Sequence, residues 1–206
     1  MEMYARADKA IRQMNRTNLR LFGKLKILPI DELNVMSATK AVYGESIRTA
    51  KKKYLNIGYW AFIDAMLLAG AILKDAEKQV GKVIVPEWVT GILKDFDPVT
   101  LYRFMNEAER KRVRLAEAMI ASNKRNREID KALRYWTLQT SQYAINVTDR
   151  ATIAGYKAAG VKKVKWVTER DEKVCDACDV LDGAIFDIDN VPPKQHYNCR
   201  CTVVPV

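Results

Sequence analysis

The chain has a single histidine among its 206 residues. No His-Glu-x-x-His helix motif is present, and no glycine-rich phosphate-binding loop, so two common routes to catalysis are absent. Long apolar runs are missing as well. The most apolar stretch, Tyr59 to Leu73, is 15 residues long and contains Asp64. A membrane-spanning helix needs roughly 20 mostly apolar residues, so a buried core helix and no membrane contact are expected. The opening residues, Met1-Glu2-Met3-Tyr4-Ala5-Arg6, are polar where an export signal requires an apolar segment. That leads to the expectation of a cytosolic protein. Glycine (9) and proline (6) are too sparse for a collagen-like or low-complexity chain. Acidic side chains are also under-represented, 25 against 35 basic, for a net charge of +10. Such a balance attracts polyanions, nucleic acid being the usual candidate; the plain alternative is that it only keeps the protein soluble.

What is present is helix followed by a small patterned tail. The predicted organisation is an N-terminal helical region over residues 1–82, a connector over 83–98, a long helical region over 99–160 and a C-terminal module over 161–206. The fold class expected is α+β, predominantly α-helical. Arg12, Arg16 and Arg20 recur at i, i+4, i+8 and share one helical face, either a solvated face or a contact for a protein partner or DNA. Pro29 breaks the first helical pattern, and Asp31 is placed to cap the next helix. Gly81, Pro86, Gly91 and Asp97-Pro98 interrupt the pattern, and Val83-Ile84-Val85 reads as an extended arm or edge strand. Residues 99–159 read as one long helix or two in sequence. Ile129, Leu133, Trp136, Thr140 and Tyr143 have the spacing of a packed seam, and Gly160 is a natural C-terminal stop. Beyond it the period shortens to two. Strands are expected at Val164–Thr168, Ala184–Ile188 and Cys199–Val204, separated by turns at Asp182-Gly183 and Asn190–Pro193.

All four cysteines and the only histidine fall in this tail, as Cys175-x-x-Cys178 and His196-x-x-Cys199-x-Cys201. Two cysteines separated by two residues wrap a tight knuckle around a metal, and a second cluster can complete a tetrahedron. On a strand, Cys199 and Cys201 would share a face. Thiolates with one imidazole suit zinc rather than calcium or magnesium, which prefer oxygen. Five candidates compete for about four positions; the spare would be a hydrogen-bonding neighbour that orients a ligand. The alternatives are two disulfides, a thioredoxin-like redox pair, and a Cys nucleophile with His196 as base. Asp171, Asp176, Asp179, Asp182, Asp187 and Asp189 resemble turn and cap residues rather than an acid–base pair. No enzyme is expected. Lys163, Lys165, Lys173, Lys194 and Arg200 surround the cluster and are the candidates for contacting DNA or an acidic partner.

The run Trp166-Val167-Thr168, Asp171, Val174-Cys175-Asp176-Ala177-Cys178, Leu181-Asp182-Gly183, Pro192-Pro193 and His196-Tyr197-Asn198-Cys199-Arg200-Cys201 resembles the C-terminal signature of phage Mu F-like head morphogenesis proteins. The specific match covers about residues 150–206, beginning with Arg150-Ala151-Thr152-Ile153-Ala154; the first 149 residues are similar only in being helical. The chain departs from the pattern at Gly155-Tyr156-Lys157, where the family often has Arg-Thr-Glu, so any role of that acidic position does not carry over. The resemblance implies a minor head protein in a few copies around the portal, inside the capsid, with host cytoplasm as its site of assembly. It implies portal protein and other capsid components as partners, packaged DNA nearby, and a role in procapsid assembly, DNA packaging or DNA delivery. Some relatives carry toxin domains after this signature; here the chain stops at Val206, so none is expected. One structural zinc ion would stabilise a module too small to hold itself together by its core. Two rivals remain: a zinc-dependent nucleic-acid-binding protein, for which Trp166 and Tyr197 would be the stacking residues, and a metal-dependent hydrolase or transferase, which needs an open metal position.

Overall fold

A computed structural model describes residues 4–29, 31–71, 74–78, 98–168, 175–197 and 199–206, with backbone alone for 98–105. Most of the connector at 83–98 and its Val83-Ile84-Val85 run, together with Asp171 and Lys173, lie outside the described residues. The described chain runs through four long helices: α1 (Ala5–Lys26), α2 (Glu32–Leu68), α3 (Pro98–Ala121) and α4 (Arg125–Ala158). A small sheet follows, formed by β1 (Lys163–Val167), β2 (Ile185–Asp187) and β3 (Thr202–Pro205), with the single turn α5 (Asp176–Asp179) between β1 and β2. None of the described helices is long and apolar enough to cross a membrane.

Each helix has a local cause. Asp31 caps α2 by accepting the Asn34 amide at 2.9 Å, as its position after Pro29 predicts. The long region after residue 98 is two helices, because Ser122 takes the Lys124 amide at 3.0 Å into a local bond and interrupts the ladder. α4 ends where Gly160 adopts φ +82. There the Val161 amide reaches back to the Tyr156 carbonyl and that of Gly160 to Lys157, each at 3.0 Å, the paired closure of a Schellman end.

α1 buries Ala7, Ala10, Ile11, Met14, Asn18, Leu21, Phe22 and Leu25, spaced by three and four, against α2 and α4. On α4 the seam residues Ile129, Trp136, Thr140 and Tyr143 are buried and Leu133 packs beside them. A polar relay locks the three helices in register. Trp136 Nε1 donates to Ser46 Oγ at 2.7 Å, Ser46 donates to Asn18 Oδ1 at 2.5 Å, and Tyr54 donates to the Thr140 carbonyl at 2.8 Å. Such a buried network tolerates no helix slippage, since each shift would strand polar groups away from water.

At the far end α2 and α4 approach so closely that a Cβ on Gly155 would lie 2.4 Å from the Phe62 carbonyl oxygen and 2.8 Å from Ala65 Cβ. One residue on, Tyr156 is buried and its hydroxyl donates to the Val203 carbonyl of β3 at 3.2 Å. The Gly-Tyr pair that departs from the resemblance is therefore the joint between helices and tail. The tail's core, built from Val164, Trp166, Ile188 and Val203 with three of the cysteines, is continuous with Ala65 and Tyr156. Its sheet is antiparallel in the order β2-β1-β3, with Val164 opposite Phe186 and Trp166 opposite Val203. The third strand starts at Thr202 rather than Cys199, because Cys199 and Cys201 precede the ladder. Both are buried while Arg200 between them is half-buried, so the expected alternation survives without strand pairing.

Candidate metal centre

The first cysteine pair sits on a one-turn knuckle. Cys175 is the residue before α5, and its carbonyl accepts the amides of Cys178 at 2.9 Å and Asp179 at 3.0 Å. The turn is tied to β1 from behind: Gly183, at φ +79, donates to the Trp166 carbonyl at 2.9 Å, and Asp182 accepts the Thr168 amide at 2.9 Å. The second pair arrives from the loop before β3. Cys178 Sγ and Cys199 Sγ stand 3.7 Å apart. The thiols of Cys178, Cys199 and Cys201 lie within 4.8 Å of one another, and the ligand atoms of Cys175, Cys178 and His196 do so as well. Cys178 is common to both groups. The second cluster, which begins 18 positions after Cys178, thus converges with Cys175 around one sulfur. The four cysteines are free rather than joined as disulfides.

The donor set fits a tetrahedral thiolate-bound cation. With metal–sulfur bonds of about 2.3 Å, two sulfurs on a tetrahedral zinc are about 3.8 Å apart, which is the Cys178–Cys199 separation to within 0.1 Å. Cys178 and Cys199 are fully buried, Cys201 nearly so, Cys175 half-buried and His196 exposed. Burial pushes the Cys178 thiol far up, and hydrogen bonding with Cys175, Cys201 and Cys199 pushes it further. Burial likewise raises Cys201. Without a cation these sulfurs stay protonated; a divalent ion reverses that preference, because a coordinating thiol is deprotonated outright. His196 Nδ1 lies 2.9 Å from the neighbouring Tyr197 carbonyl.

Of the surrounding cations, Lys163 is exposed and Lys165 half-buried on β1. Lys194 and Arg200 have partners inside the protein. Lys194 Nζ is 3.3 Å from Asp149, donates to the Tyr4 hydroxyl at 2.8 Å, and donates to the Cys201 carbonyl. Arg200 pairs with Asp8 at 2.5 Å and lies 5.4 Å over the Tyr4 ring. The Tyr4 hydroxyl in turn has two acceptors for its one proton, the Asp149 carboxylate and the Cys201 carbonyl, the latter at 2.9 Å. Burial pushes the Asp149 carboxyl up to about 6, while Lys194, Tyr4 and Arg200 pull it down. Tyr4, Asp8 and Asp149 carry no motif, and reading along the chain could not find them; their role comes from the folding of α1 and α4 onto the 194–201 loop. Among the acids expected in turns, Asp182 caps as described and Asp189 pairs with Lys157 at 2.6 Å. Of the two aromatic candidates, Trp166 is 1% exposed and belongs to the core, whereas Tyr197 is 59% exposed.

Residues 104–204 match the family described as Phage Mu protein F like protein. An uncharacterized protein of Haemophilus influenzae is 37% identical over 60 residues, a stretch covering 27% of this chain and 13% of that protein. No solved structure matches. The matched segment runs from α3 through the converged cysteines to β3, and it supports a phage Mu F-like head morphogenesis protein.

Proposed function

We propose that this protein is a minor head component of a tailed phage, bound to the portal inside the capsid and acting in procapsid assembly, DNA packaging or DNA delivery. The match over residues 104–204 carries this reading. In it the C-terminal module is a rigid docking knob. Cys175, Cys178, Cys199 and Cys201 hold one structural zinc ion, and His196 is the spare candidate, since it alone of the five is exposed. Four thiolates close the coordination shell and leave no open position for a bound water, so the ion cross-links the knuckle to the loop before β3 and performs no chemistry. A small sheet of three short strands gains from that cross-link the stability its own core cannot provide.

The test is co-expression of the full chain with the portal and major head proteins of its own phage, followed by sedimentation and metal analysis. The expected result is co-sedimentation with portal-containing particles and about one zinc per chain, retained in His196→Ala and lost in Cys199→Ser. Exclusion from particles that assemble normally overturns the assembly role; wild-type protein without zinc overturns the metal assignment. The rival, a zinc-dependent nucleic-acid-binding protein outside the particle, predicts exclusion together with tight DNA binding.

A further inference from the structure

The basic face of α1 has no role in the reading above. Between Ala5 and Lys26 the helix carries seven basic residues and one acid, Asp8. Asp8 is taken by Arg200, Arg6 is paired with Asp64, and Lys26 is paired with Asp130. The remaining five, Lys9, Arg12, Arg16, Arg20 and Lys24, are exposed and make no ion pair with the described residues. Their placement is not scattered. At 3.6 residues per turn, Lys9, Arg12, Arg16 and Arg20 fall within about 40° of the line opposite the buried face, and Lys24 extends the row at its edge. The row is about 22 Å long, with successive i, i+4 members about 6 Å apart. Other helices mix their signs: on α3, Arg110 and Arg112 pair with Glu107 and Glu109. α1 does not.

We infer that this face of α1 is a binding surface for the phosphate backbone of duplex DNA, read without regard to sequence. Each strand of a duplex presents one phosphate per 3.4 Å of axis, so the row lies alongside about six. Three of the five cations are arginines, whose planar guanidinium binds phosphate through two parallel N–H bonds. No aromatic ring stands in the row, so there is no platform on which unpaired bases would stack, which favours a duplex over a single strand. The row also differs from the cations beside the cysteines, where Lys194 and Arg200 already have internal partners. The choice of DNA among polyanions rests on the particle reading above.

The test measures full-chain binding to two unrelated 30-base-pair duplexes by fluorescence anisotropy between 50 and 200 mM salt. Five phosphate contacts predict equal affinity for both sequences and a loss of roughly 500-fold across that range, from a slope of about 0.9 per contact. Arg12→Ala/Arg16→Ala/Arg20→Ala lowers the slope by about 3. Lys162→Ala/Lys163→Ala/Lys165→Ala removes the same charge at the tail and leaves the slope near the wild-type value. Circular dichroism melting of both variants confirms that each is folded. Equal losses in the two variants, no DNA binding by the wild type, or α1 binding only an acidic head protein overturns the assignment. Particle entry without DNA binding sinks this inference alone, and DNA binding without particle entry sinks only the particle reading.

Discussion

Replacing Gly155 with alanine adds one methyl group at the point where α4 crosses α2. In most helix interiors this change stabilises, by about 1 kcal/mol, because alanine restricts the unfolded chain and glycine does not. At Gly155 the new Cβ would meet the Phe62 carbonyl oxygen at 2.4 Å and the Ala65 Cβ at 2.8 Å. The first of these is backbone and cannot rotate away, so the helices must separate by several tenths of an ångström. Overpacking of this kind costs typically 1–3 kcal/mol, enough to cancel or exceed the propensity gain. Gly44 provides the internal control: it lies within α2, is exposed, and an added Cβ meets nothing within 4 Å. The expected outcome is a rise of about 2–4 °C in melting temperature for Gly44→Ala and a fall of up to about 8 °C for Gly155→Ala, taking 2–4 °C per kcal/mol for a chain of this size. Because Tyr156 joins the tail to the helices immediately after the crossing, Gly155→Ala also loosens the C-terminal module, seen as faster amide exchange in β1 and β3. Equal stabilisation in both variants would refute the close approach.

Cys178→Ser removes the sulfur common to both ligand groups, so it abolishes zinc binding and makes the melting temperature indifferent to a chelator that lowers it in the wild type; unchanged chelator sensitivity refutes the shared position. Lys194→Met leaves the Asp149 carboxyl without its nearest cation. Its side chain is 17% exposed, so at pH 8 the loss is about 3 kcal/mol, the low end for breaking a buried ion pair, because Tyr4 still donates to the carboxylate and Arg200 still acts on it. Burial already pushes that carboxyl up to about 6, and removing Lys194 raises it further; the variant's deficit relative to wild type is therefore largest well above pH 6, shrinks as pH falls through the variant's raised pKa, and is gone by about pH 5, where the carboxyl is protonated in both proteins. Urea titration at both pH values checks this, and an equal deficit at each sinks it. Asp31→Ala removes the acceptor for the Asn34 amide and lowers stability by about 1 kcal/mol, measurable by the same titration.

Local chemistry along the chain was enough for much of this protein. Asp31 as a cap, Gly160 as a stop, the Ile129–Tyr143 seam and the three short strands depend on periodicity and on single-residue backbone preferences, which neighbours in sequence largely determine. The cysteine pairs were visible because thiols at such spacings suit few roles in a chain expected to stay in a reducing compartment. Tertiary structure alone decided the rest. Spacing could not bring Cys178 within 3.7 Å of Cys199, nor could it show that Lys194 and Arg200 turn inward to Asp149 and Asp8, because charge on a sequence carries no direction. Gly155 read as a departure from a pattern until its α-carbon stood against the Phe62 carbonyl. The physical reason is common to all three: these are contacts between segments remote in the chain, fixed by how α1, α2, α4 and the C-terminal module pack together, and sequence neighbours hold no record of them.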